Sequence, residues 1–131
     1  MHCDTKLELF ELNIRCDKKV IFSPHSIEVN LSNVVIIGSP NVNAGYKLVN
    51  NAPYPQIAED YERMWRVLKS LPCDVFLGAH GNYFGLEEKY PRLKEGGVNP
   101  FIDPGGYKKY VAQKEQDFRT ELAKQKAAVT K

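Results

Sequence analysis

His80 is the residue in this sequence best placed to do chemistry. It follows the apolar run Val75-Phe76-Leu77 and stands between Gly78 and Gly81. A neutral imidazole can ligate a metal ion, and it serves equally well as a hydrogen-bonded structural group. A short strand buried on both faces, ending in a Gly-rich loop, would hold such a side chain on a rigid element. The other histidines are His2 and His25, so no pair falls at i, i+2 or i, i+4. Cys3, Cys16 and Cys73 show no C-x-x-C spacing, which argues against a structural zinc knuckle.

The elements that must position His80 can be read in order. Residues 6–14 alternate imperfectly and read as a strand, followed by a charged turn at Asp17-Lys18-Lys19 and a short strand at Val20-Ile21-Phe22. Ser23-Pro24-His25-Ser26 is a loop. Ile27, Val29 and Leu31 alternate with polar residues, Ser32-Asn33 turns the chain, and Val34-Val35-Ile36-Ile37 is a β-branched, central buried strand. From Gly38 to Pro55 the chain has turn chemistry without periodicity; it is either a plain crossover or a long functional loop.

The clearest helix runs from Gln56 to Leu71. Ile57, Tyr61, Met64, Trp65 and Leu68 make its apolar stripe, Pro55 suits the first turn, and Pro72 ends it. A short helix is expected over 86–94 before Gly96-Gly97. Asp103-Pro104 is a cap-and-first-turn signature for a last helix of about 105–127, with Tyr107, Tyr110, Val111, Phe118 and Leu122 on one face. This order implies an α/β unit with helices packed on one side of a sheet.

At 131 residues the chain is one domain at most, and its 43% hydrophobic and 26% charged residues read as soluble and globular. A net charge of +2 gives no electrostatic case for nucleic acid, and no apolar run approaches the ~20 residues of a membrane span. The N-terminus lacks the basic-then-apolar pattern of a secretory signal.

Several stretches in order carry a resemblance: Gly38 to Leu48, Tyr54 to Tyr61, Leu71 to Phe84, and Asn99 to Pro104. Together they resemble the C-terminal part of class B metallo-β-lactamases, in the subclass whose two zinc sites use histidines and one aspartate. The resemblance covers residues of about 33–123, leaving 1–32 as a divergent β-rich leader and 33–131 as a C-terminal half-domain. It implies half of an αββα sandwich, a zinc-dependent hydrolase acting on β-lactam antibiotics, and His80 as one ligand of the second zinc ion. It also implies that Ser39, Asn41 and Asn43 lie in the substrate-binding loop, where their hydroxyl and amide groups would hydrogen-bond the carboxylate and carbonyl of a β-lactam. Asn41 departs from the small residue expected there, and Ala44 stands where proline is usual. The family disulfide partner of Cys73 is replaced by Tyr107, which leaves Cys73 as a reduced, buried thiol.

The family's His-x-His-x-Asp-His cluster is absent from this sequence. Two zinc ions need about six protein ligands, and Cys73 lies roughly 20 Å from His80 along an extended strand. The chain is therefore expected to be an incomplete fragment, inactive by itself and binding zinc weakly at most. The alternative is a non-catalytic remnant acting as an interaction module. Enzymes of this family are typically periplasmic or secreted, so the missing signal implies a missing front end. An uncovered sheet face leaves the chain open to self-association.

Overall fold

The computed structural model describes the backbone of residues 17–23 and 26–130, with side chains from Ser32 onward. The strand expected over 6–14, together with His2, His25, Cys3 and Cys16, lies outside the described residues. The described elements are β1 (Asp17–Ser23), β2 (Ser26–Ile37), α1 (Ile57–Ser70), β3 (Val75–Gly78), α2 (Leu86–Arg92) and α3 (Pro104–Val129). They divide into two compact units, one of residues through Ser39 with Pro72–Lys108, the other of Pro40–Leu71 with Lys109 onward. No helix among the described residues is long and apolar enough to cross a membrane.

The first unit is built on a sheet of order β1-β2-β3, with β1 antiparallel and β3 parallel to the central β2. The sequence places a turn at Ser32-Asn33, but β2 runs straight through it. Asn33 pairs with Lys18 of β1, while its backbone N–H and its Nδ2 both donate to Asp74 Oδ2, at 2.7 and 3.0 Å. The Asp74 N–H returns a bond to the Asn33 carbonyl at 2.8 Å. An asparagine satisfied by a carboxylate 41 residues away has no need of a local turn.

The strands are buried on one face, not both. Val35, Ile37 and Phe76 are fully buried, whereas Val34, Ile36, Val75 and Leu77 are half-buried. Those four pair Val34 with Val75 and Ile36 with Leu77, so they form one continuous apolar stripe on the less covered face. Against the covered face, the Phe76 ring meets Tyr107 edge-on at 5.5 Å and Phe84 at 6.4 Å.

Asp103 sets the start of α3. Its Oδ1 accepts from Gly106 N at 2.7 Å and its Oδ2 accepts from Lys89 Nζ at 2.7 Å. A Cβ at Gly106 would collide with this carboxylate, so the glycine is what lets the cap approach. Pro104 then occupies the first helical position, as the sequence signature implies.

In the second unit α1 packs on the later turns of α3. Tyr61, Met64, Trp65 and Leu68 are buried along the stripe read from sequence, and Tyr61 stacks on Phe118 at 5.0 Å. Arg119 of α3 holds Glu62 of α1 with two bonds at 3.0 and 3.1 Å, and Lys69 reaches Glu115 at 2.9 Å. Helix α1 starts two residues after Pro55: the N-cap is Gln56, and Pro55 sits second in the turn that Ile57 N closes onto the Tyr54 carbonyl.

Two outcomes follow. Asp74→Ala should cost about 1–3 kcal/mol in chemical denaturation, because it strips two Asn33 donors of their acceptor. The Lys89 ammonium, then the Gly106 N–H, hold the Asp103 carboxyl below the usual aspartate range. Its stabilisation is therefore fully present above the ordinary value of 3.8 and is lost as pH falls below it through the folded value. Asp103→Asn should flatten the acid limb of melting temperature against pH below that point.

Candidate functional site

His80 is carried past the end of β3 by a turn that its two glycines permit. A Cβ on Gly78 would stand 2.9 Å from the Tyr83 ring, and one on Gly81 would stand 2.9 Å from Leu86 Cδ2. Neither separation is tolerable for real atoms, so both neighbours fold over bare backbone. Tyr83 N donates to the His80 carbonyl at 3.0 Å and closes the turn. The imidazole is exposed and meets the Tyr83 ring edge-on at 5.1 Å.

Ser39 comes to the same end of the sheet. Ile37 pairs with Gly78 in the parallel ladder and the Ala79 N–H donates to the Ile37 carbonyl at 2.9 Å, so Ser39 and His80 each lie two residues beyond a paired position. Ligands in α/β folds gather at such carboxyl ends of parallel strands. Both residues are exposed.

Asn41 and Asn43 belong to the second unit, on the loop between β2 and α1. Pro40 and Leu48 are buried, while residues 43–47 are all exposed. The Asn43 Nδ2 donates to the Tyr46 hydroxyl at 3.3 Å, and Tyr46 N donates to the Asn43 carbonyl at 3.1 Å, with Gly45 at φ +88°. Buried Tyr61 donates its hydroxyl to the Asn41 carbonyl at 2.8 Å. Burial pushes the ionisation of Tyr61 far above the ordinary tyrosine value, so it stays a neutral donor. Tyr54, further along the loop, donates to Asp60 and is pushed up to about 12 by burial first and that bond second. The sequence places Tyr61 in the apolar stripe of α1 without a role for its hydroxyl, and does not single out Tyr46. The i, i+3 spacing of Asn43 and Tyr46 around a glycine was the available signal for the latter.

Loop residues 41–46 and Lys114, Asp117, Glu121 and Lys124 of α3 line a cleft of about 730 Å³ within this unit. The walls carry both charge signs, and Lys114–Asp117 and Lys124–Glu121 pair along the helix at 3.8 and 3.5 Å.

Cys73 is half-buried, less enclosed than expected from sequence, because it precedes β3 and does not lie within it. Its thiol donates to the Val75 carbonyl at 3.4 Å. Tyr107 lies close enough for Cys73 to act on its ionisation, second to burial, and both raise it. Among the described residues no group of three or more His, Cys, Asp or Glu gathers to hold a metal ion. His80 is thus part of no such group, and the described residues by themselves do not make a site that fits a zinc ion.

No protein-family model matches the chain. Solved structures do, and they give the fold: it is similar to part of the metallo-β-lactamase fold. The native FEZ-1 metallo-β-lactamase from Legionella gormanii matches with a TM-score of 0.72 and 54% identity, over 74% of this chain and 37% of its own. A Cronobacter sakazakii metallo-β-lactamase with a HARLDQ motif matches with a TM-score of 0.68 and 38% identity, over 73% of this chain and 37% of its own. BJP-1, a subclass B3 metallo-β-lactamase of Bradyrhizobium japonicum, matches with a TM-score of 0.69 and 34% identity, over 79% and 39%. The chain thus spans well under half the length of these proteins.

Gly78→Ala should force the Tyr83 ring off the strand end and cost about 1–3 kcal/mol, as overpacking does. Chemical denaturation reads the cost, and a shift of the His80 ring resonances reads the displaced turn.

Proposed function

We propose that the chain is the part of a zinc-dependent β-lactam hydrolase that carries its substrate loop and one metal ligand. Ser39, Asn41 and Asn43 would hydrogen-bond the β-lactam carboxylate and carbonyl, and His80 would serve as a ligand of the second zinc ion. The observation that carries the reading is the 54% identity to a metallo-β-lactamase at a TM-score of 0.72. The remaining metal ligands would have to come from outside residues 33–123. Residues 33–131 act in this reading as a half-domain, with 1–32 as a divergent β-rich leader whose strands join the same sheet.

A non-catalytic interaction module is the second reading, favoured by the half-covered stripe of Val34, Ile36, Val75 and Leu77. Self-association through that face would then be its main property.

The two readings divide on ligand binding. With zinc added, the chain alone should leave a chromogenic cephalosporin unhydrolysed and retain less than one zinc ion per chain in equilibrium dialysis. An intact β-lactam should nonetheless shift the amide resonances of Ser39, Asn41 and Asn43. Two retained zinc ions would overturn the fragment reading. Concentration-dependent association in analytical ultracentrifugation, with no β-lactam shifts, would favour the module.

A further inference from the structure

The exposed stretch 43–47 has no burial to hold it, yet it takes one defined course with a left-handed Gly45. Loops without buried apolar contacts open at little cost unless polar bonds tie them. Local bonds supply part of the hold, Asn51 Nδ2 donating to the Lys47 carbonyl at 2.9 Å, and two helices supply further ties. Tyr61 of α1 holds the Asn41 carbonyl at 2.8 Å. Gln125 of α3 holds the other end with both halves of its amide. Its Oε1 accepts from Leu48 N at 2.7 Å, and its Nε2 donates to the Tyr46 carbonyl at 2.9 Å.

Glu121, one turn earlier, decides which way that amide faces. The Gln125 Nε2 donates to Glu121 Oε1 at 2.9 Å, and an ionised carboxylate accepts only. The NH2 end must therefore point toward Glu121 and Tyr46, which leaves the oxygen for Leu48. Flipped, the amide would set oxygen against oxygen at Glu121 and at the Tyr46 carbonyl, and NH2 against the Leu48 N–H. A hydrogen-bonded pair on α3 thus reads out the backbone of a loop nearly eighty residues away in sequence, |i−j| being 77 for Leu48.

We infer that Gln125, oriented by Glu121, is a positioning residue that fixes the loop presenting Asn43 and Tyr46. Its relevance to β-lactam recognition rests on the function proposed above, while the positioning itself does not.

The test uses the full chain, with amide exchange followed residue by residue. Gln125→Ala removes the acceptor of Leu48 N–H and should speed its exchange by about tenfold, the scale of one lost hydrogen bond. Amides in the middle of α1 and α3 should keep their protection. Glu121→Ala should give a smaller rise at Leu48, since the amide is present but unoriented. Lys126→Ala, on the same exposed stretch of helix, should give none. Unchanged Leu48 exchange in Gln125→Ala would overturn the inference. So would an equal loss of protection throughout α1 and α3, which marks plain destabilisation. A β-lactam titration is the separate arm: weaker shifts at Asn43 in Gln125→Ala extend the role to recognition. If neither protein binds while Leu48 responds as expected, the positioning stands and the ligand reading falls.

Discussion

The parallel pairing of β2 with β3 is the constraint on which the first unit depends. The ladder is short, Val34↔Val75 to Ile37↔Gly78, and parallel pairs join residues far apart in sequence, so closing them is entropically expensive. Polar bonds fasten both ends. At the entrance, Asp74 takes two donors from Asn33 and gives its own N–H back; at the exit, Ala79 donates to Ile37. The segment before α3 is bound to the same point, because Asp103 N donates to the Asp74 carbonyl and Ile102 bridges Val75. Asp74 therefore links β2, β3 and the approach to the last helix, and the strand ends carrying Ser39 and His80 inherit their alignment from that one register.

The second unit solves a different problem. Its helices are joined by aromatic packing around Phe118 and by the Glu62–Arg119–Glu115–Lys69 chain of charges. Exposed ion pairs of this kind contribute little each, so the buried rings supply most of the cohesion. Between buried Pro40 and Leu48, the exposed stretch that bears Asn43 draws much of its order from side-chain hydrogen bonds, those from these helices among them.

What was legible in the sequence follows from the range of the forces involved. The stripe of α1 and the Asp103-Pro104 cap are local patterns, and both stand where the residues imply. The turn expected at Ser32-Asn33 failed because the partner that satisfies Asn33 lies far along the chain. The β-branched runs gave no warning that only one face would be fully covered, since Val and Ile suit either face. Pro55 suits a turn as well as a first helical position, and here the turn won. Of the site residues, His80 was marked by its flanking glycines, but Gln125 was not: an i, i+4 pair with Glu121 looks like any solvated helix face. The family likeness was carried by ordered motifs, and the fold neighbours bear it out over about three-quarters of the chain.

The two glycines that flank His80 also restrict how this surface can evolve. Every amino-acid substitution of a glycine adds a Cβ, and at Gly78 and Gly81 that atom meets Tyr83 or Leu86. The turn therefore has no near neighbours in sequence space that preserve it. Drift at either position would have to wait for a smaller side chain at 83 or 86, whereas Gly45 has open space beside it and is held by its left-handed φ of +88°, not by a neighbour.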